Sequence, residues 1–135
     1  MTIVVDASVA IRWSATLARS DRAEALLESD ETIIAPDLVL AEITNAAWKA
    51  VVFGGAPAAA ASLLVQESAD YFDELVPAAD LKDRALEIAL ALKHPAYDCF
   101  YLALAEQREC KLITADERLQ GRCAKTAFAK LVKAL

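Results

Sequence analysis

Four carboxylates stand where they could do metal-assisted chemistry on a phosphate. Asp6 ends the β-branched run TIVV, and Asp116 follows the run KLIT by two residues. Glu42 lies within a strongly apolar helical pattern, DLVLAEITNAAW, and shares a helix face with Asn45. Asp98 begins the apolar stretch DCFYLALAE, where its charge would meet the positive end of a helix dipole. Brought together, four acids would repel one another and hold protons at neutral pH, a conflict that a bound divalent cation removes. With oxygen donors only, the cation expected is Mg²⁺ or Mn²⁺ rather than zinc. The chemistry such a site supports is phosphodiester hydrolysis by an activated water.

Taken singly, each acid also has a plainer reading. Asp6, Asp98 and Asp116 are all suited to capping a helix, and Glu42 to lying on a solvated helix edge. The combination depends on the elements that position it. Residues 2–5, 32–34, 74–76 and 111–114 predict short strands, with a last one near Leu131 and Val132. Helices are expected from Asp6 to about Thr16, from Ser20 with Ala23, Leu26 and Leu27 inward, and from Pro36 to Gly54. Others run from Pro57 to about Tyr71, from an Asp80 cap to His94, and from Asp98. Strands separated by helices predict an α/β protein, a three-layer-like α/β/α arrangement with a short-stranded, mainly parallel sheet. In such sheets sites lie beyond the carboxyl ends of the strands, which is where Asp6 and Asp116 fall.

Composition narrows the classes. The chain has 135 residues, a length suited to one domain spanning 1–135, and 57% of them are hydrophobic. Mean hydropathy is +0.33, so disorder is not expected. Twenty acids against fourteen bases give a formal charge of −6, which argues against nucleic-acid binding through a broad basic surface but not through bound metal. No basic leader or run of ~18 apolar residues is present, so a cytoplasmic protein without a membrane span is expected. Cys99, Cys110 and Cys123 form no CxxC pair and predict reduced thiols. A single histidine, His94, leaves no zinc site of the Cys/His type. No GxSxG surrounds a serine.

The segments VVDASVAIRW, APDLVLAEITNAAWKA, YDCFYLALAE and LITADERL resemble the signature blocks of PIN-domain ribonucleases, and among these the VapC-type toxins of bacterial toxin–antitoxin pairs. The resemblance runs from Thr2 to about Leu119; the end of the chain, GRCAKTAFAKLVKAL, carries no clear motif of the family. It implies that Asp6, Glu42, Asp98 and Asp116 are the catalytic, metal-binding acids, with Glu42 either a ligand or the orienter of the nucleophilic water. It implies supporting roles for Ser8, Asn45 and Thr114. It further implies Mg²⁺- or Mn²⁺-dependent endonucleolytic cleavage of RNA, possible substrates being tRNA or rRNA loops, together with a homodimer and a cognate antitoxin protein. Two other classes are weighed against it. A phosphatase of the aspartyl-phosphate type wants a second Asp two residues after the first, and Ser8 stands there. A non-catalytic PIN-type binding module predicts a damaged acidic set, and all four positions are intact.

Arg12, Lys49, Arg118 and Arg122 are candidate phosphate contacts, although solvated surface charge is the first reading of each. His94 reads as a partner of a helix C-terminus rather than a general base. Trp13, Trp48, Phe53, Phe100 and Tyr101 read first as packing residues, with RNA stacking as the alternative.

Overall fold

The computed structural model describes residues 1–15 and 17–135. Five strands, β1 (Thr2–Val5), β2 (Thr32–Pro36), β3 (Glu74–Val76), β4 (Lys111–Thr114) and β5 (Val132–Ala134), form one sheet of order β3-β2-β1-β4-β5. Every neighbouring pair is parallel, with Ile3 opposite both Ile33 and Lys111. The apolar, mostly β-branched strands explain the centre: Val4, Val5 and Leu112 are fully buried, and Ile34 nearly so.

Seven α-helices among the described residues flank the sheet: α1 (Ala7–Ala10), α2 (Ser20–Glu28), α3 (Leu38–Val52), α4 (Ala58–Glu67), α5 (Lys82–Leu92), α6 (Ala96–Gln107) and α7 (Glu117–Cys123). The chain moves outward from β1 to β2 and β3, then returns to place β4 on the other side of β1. This reversal opens a crevice at the carboxyl ends of β1 and β4, the place where open α/β sheets bind ligands. The core joins the sheet to α5 and α6 through Ala85, Ile88, Leu92, Leu102 and Leu104, all buried. Among the described residues no helix is long and apolar enough to cross a membrane. Cys99, Cys110 and Cys123 are free thiols.

Several local expectations are corrected. Pro36 does not open a helix; it ends β2, opposite Val76, and α3 starts two residues later. A proline has no N–H to give the ladder, yet is tolerated at a strand terminus. Asp80 caps nothing: it lies in a 3₁₀ turn, and Leu81 precedes α5. Leu27 is exposed on α2, whereas Ala23 is buried. The helix after Asp6 has one α turn and continues as a 3₁₀ turn over Ile11–Trp13; its expected end at Thr16 lies outside the described residues. Asp98 is the third residue of α6 rather than its first. The last strand falls where it is expected: β5 (Val132–Ala134) forms the sheet edge beside β4, Val132 pairing with Leu112, and α7 runs into the motif-free end of the chain as far as Cys123.

Candidate active site

Asp6 leaves β1 and caps α1, its side chain accepting from the Val9 N–H. Its Oδ1 takes that bond at 3.3 Å and a second from Ser8 Oγ at 2.5 Å. Ser8 Oγ in turn accepts from the Ala115 N–H at 2.9 Å and lies 3.4 Å from Thr114 Oγ1. Thr114 Oγ1 accepts from the Asp116 N–H at 3.0 Å. Asp116 caps α7, its Oδ1 accepting from the N–H groups of Arg118 and Leu119. Ser8 and Thr114 thereby stitch the ends of β1 and β4 together and fix both aspartates across the crevice.

The other two acids arrive from helices. Glu42 stands on α3, and its Oε1 accepts from Tyr101 Oη of α6 at 2.5 Å. Asp98 stands in the first turn of α6, with Oδ2 2.6 Å from His94 Nε2. Burial pushes the Asp6 carboxyl up to about 6, and the charge of Asp98 adds to the rise. Burial lifts Glu42 to about 7, with further contributions from the charges of Asp98 and Asp6. Asp6, Glu42 and Asp98 therefore share one negative region. Asp116 joins Asp6 through Thr114 and Ser8.

The four acids have one property in common. Each gives one carboxylate oxygen to a hydrogen bond of the fold: Oδ1 of Asp6, Oε1 of Glu42, Oδ2 of Asp98 and Oδ1 of Asp116, and the Thr114 hydroxyl also bears on Asp6. Among the described residues, Glu31 Oε2 alone is a buried side-chain oxygen without a partner, so the second oxygens of these four keep access to solvent. Two acidic groups raised toward neutrality and four uncommitted oxygens suit a hard divalent cation. No three His, Cys, Asp or Glu side chains among the described residues converge into a ready-made cage. An open donor set of this kind suits a cation that retains several waters.

Beside the acids lies a cleft of about 410 Å³, walled by Ser8, Ile11, Glu42, Asn45, Lys49 and Tyr97, among others. Glu42, Asn45 and Lys49 recur on one face of α3, as their spacing predicts. Lys49 thus stands in the cleft, whereas Arg12 is committed to the carbonyls of Ser8 and Ala18. Trp13 belongs to the core: its ring packs on Tyr71 and Phe72, and its Nε1–H donates to Ala23 O. Trp48 and Phe53 are exposed and meet edge to face at 5.6 Å. Three residues carry more than the sequence reading gave them: Tyr101, His94 and Tyr97. For His94 the signal was its i, i+4 spacing to Asp98; for Tyr101, the i+3 spacing that places it on the same side of α6 as Asp98. Tyr97 carried no signal beyond its place next to Asp98.

A parallel sheet with this strand order and an acidic crevice at its carboxyl edge defines the class: the chain belongs to the PIN domain family, whose model matches residues 3–125. It is 36% identical over 124 residues to Ribonuclease VapC3 of Pyrobaculum aerophilum, covering 88% of this chain and 92% of that protein. Among solved structures, PAE2754 from Pyrobaculum aerophilum superposes with a TM-score of 0.69 at 26% identity, over 98% of this chain and 83% of that one. VapBC2 from Rickettsia felis, bound to a DNA fragment from its promoter, superposes with a TM-score of 0.72 over 100% of this chain and 99% of that one. Its 13% identity makes this a likeness of fold.

Proposed function

We propose that this chain, a single PIN domain over residues 1–135, is a cytoplasmic, metal-dependent endoribonuclease and the toxin of a toxin–antitoxin pair. The observation that carries the reading is that the charges of Asp6, Glu42 and Asp98 bear on one another at the β1–β4 crevice, an open set in which each gives one carboxylate oxygen to a hydrogen bond of the fold. The relative named Ribonuclease VapC3 supports the ribonuclease assignment, and the antitoxin partner belongs to the same proposal through the resemblance to VapC-type toxins. A homodimer is part of the same proposal.

Asp6, Asp98 and Asp116 are the proposed holders of Mg²⁺ or Mn²⁺, with Glu42 a further ligand or the orienter of the attacking water. A cation bound there would acidify water and draw charge from the scissile phosphate. Tyr101 fixes Oε1 of Glu42 and leaves Oε2 to receive a proton; with its pKa near 7, Glu42 can both take and release one at neutral pH. Ser8 and Thr114 hold Asp6 in register with β4. Asn45 and Lys49 face the same cleft and are placed to meet the RNA. Attack by water with the 3′-oxygen as leaving group, the P–O3′ bond breaking, gives a 5′-phosphate and a 3′-hydroxyl, whereas attack by the 2′-hydroxyl would leave a cyclic phosphate.

The test is cleavage of structured total RNA by the purified chain in Mg²⁺ or Mn²⁺, against excess EDTA and against Asp98→Asn. Cleavage that requires metal, is lost in the variant and yields 5′-phosphate ends is expected. Cleavage that survives EDTA or the substitution would refute the assignment.

A further inference from the structure

His94 stands outside the proposed chemistry, yet it is a buried polar side chain in contact with one of the acids. Its side chain is 4% exposed, against 27% for its partner Asp98. The connection between α5 and α6 builds this placement: α5 ends at Leu92, Lys93 adopts a left-handed conformation (φ 52°), the His94 N–H returns to Ala89 O, and Pro95 starts α6. The turn drives the ring inward and under the first turn of α6, where Nε2 meets Asp98 Oδ2 at 2.6 Å.

Asp98 is the third residue of its helix, and the residue capping that helix is Pro95, which has no N–H for the carboxylate to take. Asp6 and Asp116, by contrast, are themselves N-caps and accept from first-turn N–H groups of their own helices. Asp98 instead gives Oδ2 to an imidazole and keeps Oδ1 free. Burying an imidazole has a desolvation cost that a helix connection has no need to bear, since an apolar side chain would fill the same space. The bond has one geometric consequence, which is to fix the carboxylate's rotation and the direction of its open oxygen. Metal-binding carboxylates depend on such outer hydrogen bonds for their orientation.

We infer that His94 is a positioning residue that orients Asp98 for the divalent cation. The inference rests on the reading of the acidic site given above and adds a residue to it. It separates reach from polarity: glutamine at position 94 carries an amide N–H to about where Nε2 lies, whereas asparagine buries the same amide too short to arrive.

The experiment measures Mn²⁺ affinity of the full chain by the electron paramagnetic resonance of free Mn²⁺. The panel is wild type, His94→Gln, His94→Asn and Asp98→Asn, with thermal unfolding in EDTA reporting the fold of each. Expected are a loss of about tenfold or more in affinity for His94→Asn, comparable to the losses when hydrogen bonds to metal ligands are removed elsewhere, and near-wild-type affinity for His94→Gln. Equal affinities in the asparagine and glutamine variants would overturn the inference while leaving the site intact, provided Asp98→Asn has lost binding. If Asp98→Asn binds Mn²⁺ as tightly as wild type, the acidic site is not the metal site, and the role of His94 falls with it.

Discussion

Tyr101 Oη donates to Glu42 Oε1 at 2.5 Å, joining α6 to α3 across the site. The ring is 1% exposed, so this phenol spends its polar atom entirely on one carboxylate. The bond favours the charged form of Glu42 and works against the burial that raises it to about 7. Tyr101→Phe keeps the ring and removes the donor, so Glu42 must rise further. The alkaline-going limb of the cleavage rate is then expected to move upward in pH, with activity at pH 7 falling about tenfold and recovering near pH 9. A pH–rate profile on wild type and variant checks this; an unmoved limb would show that Glu42 does not set it.

Asp6 provides a stability test. Its folded pKa is about 6 against an ordinary 3.8. The folded state therefore holds the proton more tightly than the unfolded chain. The stability this gives is complete below pH 3.8 and is lost as pH rises through 6. At pH 7.5 the ionised carboxylate costs the metal-free protein on the order of 3 kcal/mol. Asp6→Asn keeps a capping oxygen for the Val9 N–H and removes the charge. The variant should melt several degrees higher than wild type at pH 7.5 in EDTA, with the gain vanishing toward pH 4, and should not cleave RNA. Equal melting temperatures at both pH values would contradict the buried-charge account.

The sheet and its carboxyl-edge acids were legible because they depend on local signals: β-branched runs for the strands, and acids placed at their ends. Val4, Val5, Ile34 and Leu112 are buried as their types require. What was not legible depends on contacts made across the fold. Nothing in the chain links Tyr101 to Glu42, 59 residues apart. Pro36 carries the same signal at a strand terminus as at a helix start, and pairing with β3 decided between them. The sequence places His94 at a helix end, and the left-handed turn at Lys93 sends its ring inward. The cleft face of Glu42, Asn45 and Lys49 was readable from helical spacing, but which side of α3 met the crevice was not.

The cleft separates substrate binding from chemistry. Lys49 and Tyr97 wall it, and Tyr97 is 71% exposed, free to meet a base with its ring. Neither forms a hydrogen bond to the acids, so Lys49→Ala and Tyr97→Ala should raise KM about five- to tenfold and leave kcat near wild type. Steady-state kinetics on one cleaved RNA tests this. A fall in kcat at unchanged KM would move these residues into the chemical step.

Metal should stabilise the folded chain through the same carboxylates that destabilise it when bare. A ligand that binds only the folded state adds RT ln(1 + [L]/Kd), about 2.7 kcal/mol at one hundred times Kd. At pH 7.5 Asp6 is ionised and Glu42 mostly so, and both can take part in holding a cation. At pH 5 both are largely protonated, and a cation must displace those protons to bind. Millimolar Mn²⁺ is therefore expected to raise the melting temperature by several degrees at pH 7.5 and by little at pH 5, with EDTA reversing the gain. Asp6→Asn should show neither the rise nor its pH dependence. A rise of equal size at both pH values would place the bound metal on groups other than these buried acids.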